Sequence, residues 1–161
     1  MNLFLQEGAL EKIITEAEVV WTPKQIFEVA RPAGFSTEIG VIMTALAMRE
    51  SGGVPDAFNN NTATGDRSYG FWQIDMLQST VRSVINPLLG VAPDAIDEEA
   101  EKQLLIPSMN AKAAFKLYGG IKHNITLAWY VFRGLDDAYQ QRFDLHLPAA
   151  MAGAFSSPMW N

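Results

Sequence analysis

A chain of 161 residues, 48% of them hydrophobic, is long enough for one domain with a sizeable core, which excludes a disordered segment or a staple-dependent miniprotein. The absence of cysteine excludes disulfides, thiolate metal sites and a cysteine nucleophile, while leaving the redox compartment open. A net charge of -6, with Lys and Arg unclustered, argues against nucleic acid or an anionic surface as partner, although a polyanion in a local groove stays compatible.

Residues 1–10 lack the basic start, long apolar stretch and cleavage site of a secretory signal, and residues 41–48 are too short a run to cross a bilayer. No integral membrane association is expected. A target outside the cell therefore requires another route, such as carriage in a particle, a secretion apparatus or host lysis. Leu10, Ile13, Ile14, Ala17 and Val20 fall at helical spacing and predict a helix over about residues 8–20. Thr22 and Pro23 read as the N-cap and first residue of a second helix, with Ile26, Phe27 and Ala30 inward and Arg31-Pro32-Ala33-Gly34 ending it. Ser36 or Thr37 opens a third helix that runs to about Glu50. Its apolar content is too broad for an exposed helix, so it is expected at the centre of the core.

Ser51-Gly52-Gly53 supplies a C-cap, and Pro55 prevents continuation. Residues 59–66, NNNTATGD, are polar and turn-rich; residues 68–75, SYGFWQID, suit a short strand or a tight loop, and together they are expected to wall a cleft. Asp97 can cap a helix containing Ala100, Leu104 and Leu105, and Pro107 starts another that runs through Met109, Ala113, Phe115 and Leu117 to Gly119-Gly120. Residues 125–130 and 136–143 read as further helical segments, with the tail beyond Pro148 unassigned. The fold class that follows is mainly α: a helical bundle about a central helix, with a small extended or β region.

Glu50 ends the apolar run GVIMTALAMRE, where lost hydration and the negative end of the helix dipole both raise a carboxyl pKa towards the range of a general acid. Taken alone, a glutamate at a helix end is ordinarily solvated or ion-paired. Glycosidic cleavage needs such a proton donor, together with electrostatic stabilisation of an oxocarbenium-like centre. Tyr69 and Trp72 stand open between sugar contact and core packing, and Phe71 leans towards the core. The amides of Gln73 and of Asn59-Asn60-Asn61 can bond hydroxyl or acetamido groups, although loop propensity alone accounts for the asparagines.

Glu50-Ser51-Gly52, followed by Ala57, Asn59 and Ser68-Tyr69-Gly70-Phe71-Trp72-Gln73-Ile74, resembles the catalytic core of the lysozyme-like superfamily, especially lytic transglycosylases and virion-associated murein-degrading domains. The likeness covers residues 33–135 and is strongest over residues 45–74. It implies one α+β lysozyme-like domain over residues 1–161, with 1–32 as an N-terminal helical portion and 33–135 as the catalytic core. It also implies cleavage of the β-1,4 bond between N-acetylmuramic acid and N-acetylglucosamine in peptidoglycan strands, with no cofactor and no metal. By this resemblance Glu50 is the acid/base and Ser51 supports its surroundings. Ser68, Tyr69, Trp72 and Gln73 line the substrate cleft, and Asn110 matches an asparagine of a later helix. Tyr130 matches a late tyrosine that approaches the acid, although Ala128-Trp129-Tyr130 replaces the common Ala-Tyr-Asn.

Animal-type lysozymes commonly carry a second carboxylate just before the Tyr-Gly pair, where this chain has Ser68. Asp66 or Asp75 would have to orient water for hydrolysis. If neither reaches, the muramyl C6 hydroxyl attacks instead and leaves a 1,6-anhydromuramyl end. Two other readings stand beside that transglycosylase: a muramidase, and a glycan-binding or particle-structural protein that does not cut. As ordinary residues, Asp66 serves a Gly-Asp turn and Asp75 is structural or solvated. Asp97, Glu98, Glu99 and Glu101 form a polar helix start, and His123 and His146 take surface or capping roles. Arg49 faces solvent or a saccharide carboxylate, and Met43, Met48, Met76 and Met109 fill core space. The resemblance places the chain in a phage particle, with virion proteins as partners, or in delivery to the bacterial cell wall.

Overall fold

A computed structural model describes residues 19–61, 63–120 and 137–161. The expected first helix falls mostly outside these residues, but Val20 is described, and it is non-helical and exposed instead of lying on an inward stripe. The chain here runs past the turn that follows the central helix, and the Trp21 N–H donates to the Gly53 carbonyl at 2.8 Å.

Helix α1 (Pro23–Ala33) starts as its sequence predicts. The Thr22 hydroxyl accepts from the Gln25 N–H at 3.3 Å, and the Gln25 side-chain oxygen accepts from the Thr22 N–H at 2.9 Å, a reciprocal capping box behind a first-turn proline. Ile26, Phe27 and Ala30 are buried. Helix α2 (Thr37–Ser51) is capped by Ser36 and buries Gly40, Val41, Met43, Thr44, Ala45, Leu46 and Ala47, a span too wide for a surface helix. Gly52 ends it in the left-handed conformation (φ +63°), so the chain turns two residues after Glu50.

Strands β1 (Phe58–Asn61), β2 (Asp66–Tyr69) and β3 (Ile74–Asp75) form an antiparallel sheet in the order β1-β2-β3. Its register pairs Phe58 with Tyr69, Asn61 with Asp66 and Ser68 with Asp75. Asn59, Asn60 and Asn61 are thus strand and not loop: the β2 backbone supplies the ladder that their propensity disfavours, while their side chains stay exposed.

Helix α3 (Ser79–Ile85) and a 3-10 turn (Asn86–Leu89) fill a stretch to which the sequence reading gave no element. The Asn86 amide stabilises the next loop by donating to the carbonyls of Ala92 and Ala95, each at 2.8 Å. Asp97 caps α4 (Glu98–Glu101) through the Ala100 N–H at 3.0 Å, and a 3-10 turn (Lys102–Leu105) leads to α5 (Pro107–Gly120). Helix α6 (Asp137–Phe155) is much longer than expected and passes through Pro148. That proline is exposed, so the backbone bond it removes is lost on the solvent side. The segment expected at residues 125–130 lies outside the described residues. A last 3-10 turn spans Pro158–Trp160.

The core is continuous from Ile26 to Ala154, with α1 and α6 packed on α2 and with Phe71, Trp72 and Ile74 closing it from the sheet side. Met43 and Met76 are fully buried, and Met48 and Met109 are partly buried and pack against the core. No described helix is long and apolar enough to cross a membrane. The result is a mainly helical fold with one small sheet, the class that the element order predicts.

Candidate active site

Glu50 stands on the last turn of α2, half-buried. Its carboxyl pKa is raised chiefly by burial, which penalises the charged form. The neighbouring Arg49 opposes that shift, and the negative charge of Asp66, arriving from β2, reinforces it. Among the described residues no hydrogen-bond donor contacts the carboxylate to offset the burial. A proton held at this position suits a group that must donate before it accepts.

Two bonds tie the segment after Glu50 to the turn between β2 and β3. The Gly70 N–H donates to the Ala57 carbonyl at 2.7 Å, and the Gln73 side-chain nitrogen reaches the same carbonyl at 3.3 Å and that of Gly70 at 2.9 Å. Gln73 takes a positive φ of 44°, a conformation rare for a side chain of its kind, and is held in it by these bonds. Its side-chain oxygen has no bond among the described residues.

Several residues expected on the cleft wall serve the core instead. Tyr69 is 3% exposed and gives its hydroxyl to Glu101 Oε2 at 2.9 Å, and its pKa is pushed above the usual phenol range, first by burial and then by that carboxylate. Trp72 is fully buried, with its indole N–H donating to the Met43 carbonyl at 2.8 Å, so neither face is open to a sugar. Asn110 is also fully buried: its oxygen accepts from the Trp72 N–H at 3.1 Å and its nitrogen donates to the Tyr69 carbonyl at 2.9 Å. These assignments as substrate contacts are corrected to structural ones, because every polar group they carry is spent within the fold. Ser68 is 4% exposed in the middle of the sheet, which leaves little surface for a sugar. The Ser51 hydroxyl bonds back to the Ala47 carbonyl at 2.8 Å, so it stabilises the turn that carries Glu50. Tyr130 and His123 lie outside the described residues.

The two candidate second acids separate. Asp75 accepts from the N–H groups of Arg67 at 3.2 Å and Leu77 at 3.0 Å and from the Gln78 amide at 2.9 Å, so its carboxylate is committed to organising the β3 turn. Asp66 takes only the Thr64 hydroxyl, at 3.2 Å, among the bonds of the described residues, and its charge acts on Glu50.

Three features escaped the sequence reading. Phe58, 51% exposed, lies over Tyr69 with ring centroids 4.8 Å apart and is the aromatic surface that the sheet offers to solvent. Only the strand register reveals it. Glu101 is not part of a solvated helix start but is fully buried against Arg67. His146, on α6, is half-buried, and its pKa is lowered by burial and then by the charge of Arg49. An apolar hollow of about 400 Å³ on the C-terminal elements, lined by Met151, Ala152, Phe155, Ser156 and Trp160, carries no acid or base.

The acid at the end of a buried helix, the capping glycine and the antiparallel sheet folded back beside it form one arrangement. A family model described as a lysozyme-like domain matches residues 27–124. No curated protein matches the chain, and no solved structure does. With well over half of its length aligned, the chain belongs to the lysozyme-like domain family, whose general activity is cleavage of peptidoglycan-related glycans.

Proposed function

We propose that the protein is a peptidoglycan lytic transglycosylase that cleaves the β-1,4 bond between N-acetylmuramic acid and N-acetylglucosamine, with Glu50 as the single acid/base. The observation that carries this reading is a half-buried carboxyl with a raised pKa on the final turn of the central helix, beside a strand where Ser68 stands in place of a second carboxylate. Glu50 donates its proton to the glycosidic oxygen as the bond from the muramyl C1 breaks, and the leaving sugar departs as an alcohol. The substrate's acetamido oxygen stabilises the positive C1. The Glu50 carboxylate then takes the proton of the C6 hydroxyl, and O6 bonds to C1, closing a 1,6-anhydro ring and returning the acid to its starting state.

Mass analysis of the products from purified peptidoglycan tests this. Anhydromuramyl ends support it, and reducing muramyl ends overturn it in favour of hydrolysis. One observation favours that second reading: Asp66, unlike Asp75, keeps its carboxylate largely uncommitted and acts on Glu50, so it is the group that would orient water. Unchanged glycan would assign the chain to binding alone. Delivery by a phage particle is the setting we infer from the resemblance to virion-associated domains, and mass spectrometry of purified particles tests it.

A further inference from the structure

The proposed reaction leaves one buried polar cluster unused. Arg67 and Glu101, 5% and 0% exposed, form a two-pronged ion pair, with Nε to Oε2 at 2.7 Å and Nη2 to Oε1 at 2.8 Å. The Tyr69 hydroxyl adds a bond to Oε2 at 2.9 Å, and Glu98 touches the guanidinium from the rim at 3.4 Å. Burial works against the Arg67 charge, but the bond and charge of Glu101 outweigh it and keep the guanidinium protonated. Apolar side chains could fill the same volume without the desolvation cost, so the pair needs a reason beyond stability.

Strand geometry supplies one. Side chains alternate along β2, so Arg67 and Tyr69 share the face that meets Glu101, while Asp66 and Ser68 share the opposite face. A slip of one residue would exchange the two sets. Asp66 occupies the last rung of the ladder, opposite Asn61, where the strand has its weakest hold. The next residue is the anchored one: Arg67 bonds Glu101 through its side chain and Asp75 through its N–H. Resting on the reading of Glu50 as the acid, we propose that Arg67 and Glu101 are positioning residues whose clamp fixes the register and the end of β2, and so holds the Asp66 carboxylate beside Glu50. Among the described residues, the charges that act on Glu50 are Arg49 on its own helix and Asp66 from the sheet, and Arg49 acts in turn on His146 of α6.

Titration of the Glu50 carboxyl by carbon-13 NMR in the full chain tests the clamp without any need for turnover, and glycan cleavage is measured beside it. Removing one partner strands a buried charge, so the main variant is the double Arg67→Met/Glu101→Leu. Asp66→Asn is expected to lower the Glu50 midpoint by roughly half a unit, the size of one partly screened like charge. The double variant should lower it similarly and reduce kcat severalfold with KM little changed, and adding Asp66→Asn to it should produce no further shift. A folded double variant with the wild-type midpoint overturns the proposal. So does a midpoint shift that persists at full size between Asp66→Asn and the triple variant, because the clamp would then act by another route. Should the double variant not fold, Tyr69→Phe, which removes only the hydroxyl bond, carries the test: a smaller shift in the same direction supports the clamp, and none overturns it. If the wild type cleaves no glycan while the midpoints follow this cycle, the proposed reaction falls and the positioning role stands.

Discussion

Glu50 combines two demands that pull against each other. Burial lifts its pKa and so keeps a proton available for donation, but the same burial makes the ionised form costly to the folded chain. Because the folded carboxyl binds its proton more tightly than the unfolded one, Glu50 favours the native state below the ordinary value of 4.5. That advantage is lost as pH rises through the higher folded value. Glu50→Gln should therefore melt at a higher temperature than the wild type at pH 7, with the gap closing towards pH 4, as differential scanning calorimetry can show. The same variant should lose about 10²–10⁴-fold in the rate of glycan cleavage, the range for removing one general acid/base. Full activity in Glu50→Gln would remove the residue from the reaction. Asn110 illustrates the opposite case, a polar side chain wholly occupied by the fold. Asn110→Ala leaves a buried N–H and a buried carbonyl without partners, at about 1–3 kcal/mol for each group left unsatisfied. Urea denaturation should show a loss within that range or its double, and a change below 0.5 kcal/mol (about the size of a surface substitution) would refute the amide's clamping role.

At the scale of elements, the turn between β2 and β3 depends on close approach. Gly70 takes φ +73°, and a Cβ there would sit 2.6 Å from the Leu104 carbonyl oxygen and 2.5 Å from Asn110 Cγ. Gly70→Ala is expected to push α5 and the sheet apart, with destabilisation read from thermal melting and a fall in cleavage, since Gln73 and Ala57 are tied through the same turn. Much of this architecture was legible in the sequence. Caps at Thr22, Ser36, Asp97 and Gly52 announce themselves because capping is local chemistry, resolved within four residues. The sheet was only half legible, since Asn59-Asn60-Asn61 gain strand structure from pairing with Ser68, Arg67 and Asp66 and not from their own preference. The roles of Tyr69, Trp72 and Asn110 depend on contacts across 29 to 41 residues of chain, which local spacing cannot encode. Glu101 was hidden for the same reason, among acids that do mark a helix start.

At the scale of the whole molecule, the region matched to the lysozyme-like family ends at residue 124, yet α6, one of the helices packed against the central helix α2, lies beyond it. Helix α6 buries Phe143, Ala150 and Ala154 in the common core, and Gly153 approaches so closely that a Cβ would lie 2.7 Å from the Lys24 backbone nitrogen. The tail then ties back to α1 and α2: Ser157 donates to Glu28 at 2.8 Å, Arg31 to the Met159 carbonyl at 3.0 Å, and Thr37 to the Trp160 carbonyl at 2.8 Å. Removing this element would uncover the faces of α1 and α2 packed against it, including the Phe27 ring that meets Trp160. The burial of a single large aliphatic or aromatic side chain contributes about 1.5–3 kcal/mol, so losing several exceeds the margin of an ordinary domain. A chain truncated after residue 124 is therefore expected to lose cooperative melting and to expose surface that binds a hydrophobic dye, with cleavage abolished although Glu50 and the sheet are retained. A truncated chain that melts sharply near the full-length temperature would show instead that the family core stands alone, and that α6 has been added to it for a purpose other than holding the acid in place.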